Sequence, residues 1–582
     1  MTSSNDELAS LFEELADRLE AQDVAYKPTA YRRAAENIRE FPDTVAALAE
    51  TDGAEAVQQI DRVGEAIAEK IVEYVETGKI EELEAQREAL PVDIAGLTSV
   101  EGVGPKSVGT LYSALGIETL SDLETAAEDE QIQTVSGFGP KTESNILENI
   151  EFAKRAQQRQ LLGEALPIGT DLMAYLDEIA AVERCETAGS LRRWRETIGD
   201  VDVLIASDDP ATVIDAVESW PAVENVIEAG SQKASVRTEG VRVDCRVVDP
   251  AEFGAALQYF TGSKEHNVQL RNHAIDRGLK VNEYGVFDVS AIDDPDAGQR
   301  VGERVAGSTE RGVYNALGLS YVEPELREGR GEIEAATAGE LPNLITPDDI
   351  RGDLHVHTTS SDGTESIESM VTAATDRGYE YLCITDHAAG PGMVGGVGLT
   401  DDELEAQLAT VREIDDDADI TVFAGVEANI HADGEISVSD DLLEQLDCVV
   451  GSPHAALDGD GTDRLLEAVN NPLVDVIGHP TGRLLGQRSG LDIDSSTLAI
   501  AAANTDTALE VNANPRRLDL DGTRVQAAID AGATIAINTD AHRSESFGYV
   551  DYGVHTARRG WAQPDDVLNS HSVDAVRAFF DR

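Results

Sequence analysis

From about residue 350 to the end of the chain, short apolar runs of strand length alternate with helical segments. Nearly every apolar run ends in a histidine or a carboxylate, as in DLHVH, YLCITDH and CVVGSPH. Repeated strand–helix units form parallel sheets in which the carboxyl ends of the strands meet at one edge. The pattern therefore predicts a distorted β/α barrel over residues 350–582, with its functional site on that edge.

The side chains at these strand ends have the donor atoms that Zn²⁺, Mn²⁺ or Fe²⁺ prefer. A single histidine is more often a hydrogen-bonded structural residue, but a whole set at strand ends predicts a multinuclear metal site. The predicted ligands are His355, His357, Asp362, His387, Glu427, His454, His479, Asp540 and His542.

A second pattern is GSLRRWRETIGDVD over residues 189–202, which runs into an apolar, strand-like segment. Asp200 and Asp202 are two residues apart, so a strand would present both carboxylates on one face. With Asp244 of a second strand they suit Mg²⁺ or Mn²⁺, which take further ligands from phosphates. Gly189 and Ser190 can hold phosphate oxygens. Together these residues predict a nucleotidyl-transfer site, whereas the Asp-x-Asp pair alone also fits a solvated acidic turn.

With QYFTGSKEHNVQLRNHAIDRG and VNEYGVF downstream, residues 185–290 resemble the palm and thumb of family X DNA polymerases. The resemblance implies a palm over 161–255, a thumb over 256–325 and then a linker over 326–349. It makes Asp200, Asp202 and Asp244 the catalytic metal ligands. The implied nucleotide and DNA contacts are Ser190 and Arg193 on the triphosphate, Tyr259, Phe260 and Gly262 at the sugar and base, Asn267 at the nascent base pair and Arg271 on the template side.

The first 155 residues have helical spacing throughout and predict an all-α region, with domains over 1–85 and 86–160. Two segments, SVEGVGPKSVGTLY and TVSGFGPKTESNI, each contain a Gly-apolar-Gly-Pro-Lys sequence. Each resembles a helix-hairpin-helix, whose backbone N–H groups bind a DNA phosphate without reading sequence. Helix caps also use such glycines. The residues concerned are Gly102, Gly104, Lys106, Gly137, Gly139 and Lys141.

An earlier segment, IDRVGEAIAEKIVEYVETGKIEEL, keeps Gly64 but has Arg62 in place of the first glycine, so its phosphate contact is in doubt. It resembles the small amino-terminal domain of family X polymerases. In some members a lysine at the position of Lys70 forms a Schiff base with a 5′-deoxyribose phosphate. Lys70 is therefore a candidate lyase residue, and a plain phosphate contact or a helix-surface charge fits equally well.

The charge is unusual for a DNA-binding chain, because 111 acidic residues against 45 basic ones give a net charge of −66. Such a charge repels DNA. The acidic residues are spread along the whole chain, and only 9 of the basic residues are lysines. This composition is typical of proteins from a high-salt cytoplasm, where the Debye length falls to about 3 Å at 1 M and long-range repulsion is screened. We therefore predict a halophilic source.

No apolar run approaches the roughly 18 residues of a membrane helix, and the first residues lack a basic start and a hydrophobic segment. We expect a cytoplasmic, monomeric protein without a membrane partner. The four cysteines form no Cys-x-x-Cys pair and lie in or beside apolar segments, which predicts buried free thiols. They are Cys185, Cys245, Cys383 and Cys448.

Residues 350–582 resemble the PHP (polymerase and histidinol phosphatase) phosphoesterases, with all nine ligand positions filled. The domain order is that of bacterial and archaeal family X polymerases. The resemblance implies gap-filling DNA synthesis from dNTPs on gapped or nicked DNA in base excision repair, with a metal-dependent 3′–5′ exonuclease in the barrel. One alternative is a DNA-targeted PHP phosphoesterase or abasic-site endonuclease whose first half only binds DNA. Another is a barrel that serves as a scaffold or as a small-molecule phosphatase.

Overall fold

The computed structural model describes residues 5–39, 41, 45–60, 62–98, 100, 102–157, 159–295, 298–390 and 397–581. The chain forms two compact units. Residues 1–158 and 486–488 make up the smaller one, and residues 159–485 and 489–582 make up the larger one.

The smaller unit is helical, as the apolar spacing predicts. Leu8, Phe12 and Leu15 lie on the buried face of the first helix, and Leu11 packs at its edge. A second core surrounds the two predicted hairpins. The helices are α1 (Asn5–Ala21), α2 (Lys27–Arg39), α3 (Val45–Val57), α4 (Glu65–Thr77), α5 (Glu81–Ala89), α6 (Ile94–Thr98), α7 (Pro105–Leu115), α8 (Leu120–Glu128) and α9 (Pro140–Gln157).

The larger unit begins with a palm built on a five-stranded sheet of order β2-β4-β7-β6-β5, in which β4 and β7 are parallel. Buried valines and isoleucines of β4 and β7 pack beneath α10 and α12. A small ribbon pairs β1 with β3. The elements are β1 (Gln160–Leu161), α10 (Leu162–Asp177), β2 (Arg184–Thr187), α11 (Gly189–Arg192), β3 (Thr197–Ile198), β4 (Val201–Ala206), α12 (Pro210–Glu218), β5 (Asn225–Ala229), β6 (Lys233–Thr238) and β7 (Val241–Val248).

A thumb follows, with a three-stranded antiparallel sheet of order β10-β9-β8 packed against helices. Its elements are α13 (Phe253–Thr261), α14 (Lys264–Ile275), β8 (Leu279–Asn282), β9 (Gly285–Asp288), β10 (Glu303–Ala306), α15 (Glu310–Ala316) and α16 (Glu332–Ala338). Residues 326–349, which the charged sequence predicted to be a linker, differ from that expectation. They contain α16, and Leu326, Ile333 and Ala336 are buried in the thumb core because their apolar side chains complete it.

The last part of the chain is a nearly closed barrel of seven parallel strands in sequential order. Closure comes from a bridge between Val356 and Ala541, where His357 N donates to Ala541 O at 2.8 Å. Ser366, Thr400 and Asp521 begin helices because their side-chain oxygens accept N–H groups of the first turn. The predicted fold class is thereby confirmed.

The barrel strands are β11 (Gly352–Val356), β12 (Tyr381–Ile384), β13 (Thr421–Asn429), β14 (Cys448–Ser452), β15 (Val476–Ile477), β16 (Ala508–Asn512) and β17 (Ile535–Asn538). The helices are α17 (Ile367–Arg377), α18 (Asp401–Asp417), α19 (Asp440–Leu443), α20 (Thr462–Val469), α21 (Ser495–Thr505), α22 (Gly522–Ala531), α23 (Val550–Arg559) and α24 (Val573–Phe580).

All four cysteines are free and lie in strands β2, β7, β12 and β14. Among the residues that the structure describes, no helix combines the length and the apolarity needed to cross a membrane.

Candidate active sites

Three aspartates meet at one edge of the palm sheet. Strands β4 and β7 are parallel and in a register that places Asp202 beside Asp244, while Asp200 lies just before β4. One carboxylate oxygen from each of the three lies within 4.8 Å of the others. Arg242 Nε donates to Asp244 Oδ1 at 3.1 Å, and Ser235 Oγ donates to the same oxygen. The two-residue spacing of Asp200 and Asp202 and the parallel register of β4 and β7 together produce the carboxylate cluster.

Gly189 allows the short helix α11 to pack against the aspartates. Its φ is +59°, and a Cβ atom at this position would lie 2.1 Å from Asp202 Oδ2. The neighbouring Ala188 N donates to Asp202 O at 2.8 Å, which fixes the approach. A glycine is therefore required here both by the backbone conformation and by the space that the carboxylate occupies.

The aspartates repel one another. Burial raises the pKa of Asp202 to about 7, and the charges of Asp200 and Asp244 contribute to the rise. Divalent cations relieve such repulsion and take carboxylate oxygens as ligands. The donor set therefore fits Mg²⁺ or Mn²⁺.

The two arginines after Ser190 are held by the thumb. Arg192 donates to both carboxylate oxygens of Glu310, at 2.8 and 2.9 Å, and to Thr261 Oγ1 at 2.8 Å. Arg193 donates from Nε to Glu328 Oε1 at 3.1 Å and from Nη1 to Thr261 O. Arg193, which is predicted to bind the triphosphate, thus lies between the palm and the thumb. It forms an ion pair that the sequence did not indicate.

Two of the predicted sugar, base and template contacts, Tyr259 and Arg271, line a thumb cavity of about 710 Å³ together with Asn282 and other residues. Asn267 Nδ2 donates to Tyr259 O at 2.8 Å, which ties α14 to α13. Phe260 lies elsewhere, beneath the guanidinium of Arg246 at 4.6 Å and near Asp202.

Gly262 joins α13 to α14 with a φ of +71°, and a Cβ atom there would lie 3.1 Å from Arg193 Nη1. Like Gly189, it occupies a position where a side chain has little room. The structure therefore brings Gly262 and Arg193 together at the start of the thumb.

The hairpin turns of the smaller unit have the expected geometry. Gly102 and Gly137 have φ of +84° and +98°, and Gly104 and Gly139 directly precede α7 and α9. Lys106 and Lys141 are exposed on the first turns of these helices. Positive charges at the amino-terminal ends of helices favour anions, so this geometry is compatible with the predicted phosphate contact.

The third hairpin keeps this geometry without its first glycine. Arg62 adopts φ +59°, and Gly64 begins α4 with φ −78°, close to the −79° of Gly104. The turn thus survives the substitution. The doubt that the sequence raised about this copy therefore concerns only the arginine side chain.

Lys70 lies on α4 and pairs with Glu82, Nζ to Oε2, at 3.0 Å. Lys27 Nζ and Tyr31 OH also donate to this carboxylate, at 2.9 and 3.0 Å. Burial raises the pKa of Glu82, but its partners Lys27, Lys70 and Tyr31 outweigh burial and hold the pKa below its usual range. Glu82 is therefore an ionised partner for the Lys70 ammonium.

All nine predicted ligands of the barrel meet at the carboxyl ends of its strands. Glu427 is central. It lies between the imidazoles of His387 (Nδ1–Oε2 2.6 Å), His479 (Nε2–Oε1 2.9 Å) and His454 (Nε2–Oε1 3.2 Å). His355 and His357 lie 3.4 and 3.6 Å from it.

The remaining ligands close the cluster. Asp540 Oδ1 lies 3.1 Å from His357 Nε2, and Asp362 lies 3.4 and 3.3 Å from His387 and His542. The groups that could each hold one ion are His357, Asp362, His387 and His542; His355, His357 and Glu427; and His387, Glu427 and His454.

Several of these atoms are buried and make no hydrogen bond of acceptable geometry among the described residues, even where a charged neighbour lies close by. They include His355 Nε2, both ring nitrogens of His357, His387 Nδ1 and Glu427 Oε2. Burial raises the pKa of Glu427, but His387, His454 and His355 outweigh it and hold the pKa well below its usual range. An ionised carboxylate among such buried nitrogens fits divalent metal ions.

Sequence reasoning missed the groups that orient the ligands. Glu510 of β16 is fully buried, and it accepts from His355 Nδ1 at 2.8 Å and from His479 N at 2.6 Å. Asn429 Oδ1 lies 2.7 Å from His454 Nδ1. A carboxylate inside the apolar run TALEVN was the available signal, because a buried strand rarely holds an unpaired Glu.

The fold and the two clusters define a nucleotidyltransferase palm and thumb joined to a metallophosphoesterase barrel. Comparison with known proteins agrees with this class. The chain matches the profiles described as Helix-hairpin-helix domain (residues 3–80), SAM-like Helix-hairpin-helix tandem (94–151), DNA polymerase beta thumb (256–328) and PHP domain (353–493).

Among individual proteins, it is 35% identical over 99% of both chains to the DNA polymerase/3′-5′ exonuclease PolX of Bacillus subtilis (strain 168). It is 25% identical to DNA polymerase lambda of Rattus norvegicus, over 56% of this chain and 57% of that protein. A probable phosphatase of Caldicellulosiruptor bescii is 33% identical over 27% of this chain and 63% of its own. The chain therefore belongs to the family X DNA polymerases that carry a PHP domain.

Proposed function

We propose that this protein is a DNA-directed DNA polymerase that fills short gaps during DNA repair, and that its PHP barrel is a metal-dependent 3′–5′ exonuclease. The clustering of Asp200, Asp202 and Asp244 beside a thumb carries the polymerase proposal. The full-length similarity to the Bacillus subtilis protein supports both activities. The substrates are then gapped or nicked DNA and dNTPs.

In the palm, the three carboxylates would hold Mg²⁺ or Mn²⁺. When bound, such ions lower the pKa of an attacking hydroxyl and neutralise phosphate charge. Gly189 lets α11 approach Asp202, so Ser190 can contact the triphosphate close to the reacting phosphate. Arg193 would leave Glu328 for the phosphates, while Tyr259, Phe260, Gly262, Asn267 and Arg271 would order the sugar, base and template.

Primer extension tests the polymerase half. We expect Asp200→Ala to lower the extension rate by about 10³-fold, because the triad loses one ligand. Asp208→Asn is the matched control, since Asp208 is an exposed carboxylate at the other end of β4, in the connection to α12. Extension by Asp200→Ala at the rate of the control would show that the polymerase proposal is wrong, and would leave the first half of the chain as a DNA-binding module.

In the barrel, the nine ligands would hold Zn²⁺, Mn²⁺ or Fe²⁺, and these ions would supply the activation of water for hydrolysis. Glu510 and Asn429 hold His355 and His454 in place, so the ligand geometry is set before an ion binds. We assign the exonuclease to this site because its imidazoles and carboxylates converge on one rim of the barrel.

Degradation of 5′-labelled DNA with added Mn²⁺ tests this assignment. We expect His355→Ala to lower the rate by at least about 100-fold, since the group of His355, His357 and Glu427 loses one of its three ligands. His431→Ala is the control, because His431 lies outside the nine positions. Full exonuclease activity in His355→Ala would contradict the assignment. Cleavage at an internal abasic site without shortening from the 3′ end would instead indicate an endonuclease.

We also propose that the acidic surface is suited to high salt. At roughly 1 M KCl the Debye length is about 3 Å, so the repulsion between DNA and 111 acidic side chains is largely screened. Extension assays over a KCl series should therefore show activity above roughly 1 M. Loss of activity there, with the protein still folded by circular dichroism, would refute the halophilic interpretation.

A further inference from the structure

The segment that follows Ser190 is held by the PHP barrel as well as by the thumb. The indole of Trp194 stacks on the imidazole of His555 in α23, with ring centroids 3.7 Å apart and planes 3° from parallel. From the end of the same helix, Arg559 Nη1 donates to Arg193 O at 2.7 Å. A helix of the barrel thus fixes the main chain of the residue predicted to bind the triphosphate.

Arg559 also holds the side chain of Arg193, indirectly, through the carboxylate of Glu328. Its Nε donates to Glu328 Oε1 at 3.1 Å, and Arg559 Nη1 donates to the same oxygen at 3.0 Å. Arg195 Nη1 lies 3.3 Å from the other oxygen. Three guanidinium groups therefore share one carboxylate.

This cluster is largely removed from solvent. The side chains of Arg193, Glu328 and Arg559 are 13%, 12% and 9% exposed. Burial raises the pKa of Glu328, but Arg559, Arg193 and Arg195 outweigh burial and hold the pKa below its usual range. The carboxylate is thus ionised, and the cluster keeps a net positive charge that attracts a triphosphate.

We propose that Arg559, a residue of the PHP barrel, is a positioning residue for nucleotide binding in the palm. This inference rests on the proposed polymerase function and on the assignment of Arg193 to the triphosphate. Arg559 holds both the carbonyl of Arg193 and the carboxylate that Arg193 must leave. It thereby orients the guanidinium before the nucleotide arrives and reduces the ordering that binding would otherwise require.

Two effects follow when Arg559 is lost. The main chain at Arg193 loses its anchor, and Glu328 is left with two partners instead of three, so it binds Arg193 more strongly. Both effects oppose transfer of Arg193 to the triphosphate. Neither touches the aspartate triad. The change should therefore appear in the affinity for dNTP and leave the chemical step nearly unaltered.

Steady-state primer extension on full-length protein measures this directly. We expect Arg559→Ala to raise KM for dNTP about tenfold and to change kcat by less than about threefold, as for loss of a charge-assisted hydrogen bond. Arg559→Lys should give an intermediate KM, because an ammonium keeps the charge but lacks the fork that contacts two acceptors. It also serves if Arg559→Ala folds poorly.

Arg558→Ala is the matched control. Arg558 is the adjacent residue on α23 and also joins the barrel to the thumb, through Glu325 at 2.7 Å, and it donates to Ile345 O at 2.9 Å. We expect its KM for dNTP to stay within about twofold of the unmutated value, since it makes no contact with Arg193. Exonuclease activity of all three variants should be unchanged, which reports on barrel folding.

An unchanged KM in both Arg559 variants would overturn the inference. So would an equal rise in Arg558→Ala, because the effect would then be a general loosening of the barrel from the thumb. If the unmutated protein extends no primer at all, the proposed function is wrong and the inference falls with it. Normal extension with unaltered dNTP dependence refutes the inference alone.

Discussion

The substitution Gly189→Ala tests whether primer extension requires a glycine at this position. Gly189 combines a left-handed backbone with close packing against the triad, since an added Cβ would lie 2.1 Å from Asp202 Oδ2. Contacts of a Cβ closer than 3.0 Å are essentially never seen, so the carboxylate or α11 must move.

The size of the effect follows from these numbers. An alanine at φ +59° costs about 1 kcal/mol relative to glycine. Relieving the overlap requires a displacement of roughly 1 Å, and a displacement of that size at a reacting centre costs about 100-fold in rate. We therefore expect kcat/KM for primer extension to fall by about 100-fold, which corresponds to about 2.7 kcal/mol.

Gly240→Ala supplies the control. Gly240 lies in the turn between β6 and β7 with φ +74°, and an added Cβ there would meet nothing within 4 Å. This variant should lose about 1 kcal/mol of stability in urea unfolding and keep its extension rate. If primer extension by Gly189→Ala stays within about threefold of that by Gly240→Ala, then α11 can move without loss of activity. This result would refute the packing argument.

Three further predictions follow from the contacts described above. Glu510→Gln should weaken Mn²⁺ binding by the barrel about 10- to 100-fold in calorimetric titration. The reason is that the glutamine amide group presents N–H donors to His355 or to the other N–H groups that now donate to Glu510. Unchanged affinity would show that Glu510 does not position the ligands. Burial and the Asp177 carboxylate raise the pKa of Cys185 to about 12. Iodoacetamide should therefore react with Cys185 slowly at pH 8 and faster only as the pH approaches that pKa. Asp177→Asn should speed the reaction, and an equal rate would show that Asp177 does not contribute to the raised pKa. Lys70→Ala should weaken binding to gaps with a 5′-phosphate. If borohydride traps the unmutated protein on an abasic end, loss of trapping in the variant would identify Lys70 as the lyase nucleophile, and unaltered trapping would leave it as a phosphate contact.

The barrel and its ligand positions could be predicted because a histidine or a carboxylate stands at the end of nearly every apolar run of strand length. A histidine or carboxylate placed after an apolar run lies on the rim of a parallel barrel, whatever the loops do. Asp200 and Asp202 of the palm were likewise predictable from a spacing of two residues. In both cases the information is local in the sequence.

The groups that could not be predicted depend on contacts distant in sequence. Arg193 meets Glu328, 135 residues away, and His355 meets Glu510, 155 residues away. Only the fold brings such pairs together. The helix Glu332–Ala338 was missed for a related reason, because its charged surroundings indicate a linker, whereas Ile333 and Ala336 are buried by the thumb core.

Arg62 illustrates a local signal that the fold overrides. A non-glycine residue in the left-handed region costs about 1–2 kcal/mol, and the sequence analysis placed the phosphate contact of this copy in doubt because Arg62 replaces the first glycine. The helices on either side nevertheless hold the same geometry as in the two glycine-containing copies. Packing of Val63 and Ile67 in the core of the smaller unit offsets the local cost.

The arginine-rich, lysine-poor composition is explained in part by the contacts that arginines make between palm, thumb and barrel. Arg193, Arg483 and Arg559 each combine a carboxylate with a main-chain carbonyl, and Arg483 does so by joining Glu196 of the palm to Arg517 O of the barrel. A guanidinium can serve two acceptors at once and a lysine ammonium is less suited to this geometry. Because these pairs are mostly buried, salt screens them less than it screens the exposed acidic surface. We therefore expect a salt concentration that screens the repulsion of DNA to weaken much less the contacts between the barrel and the palm.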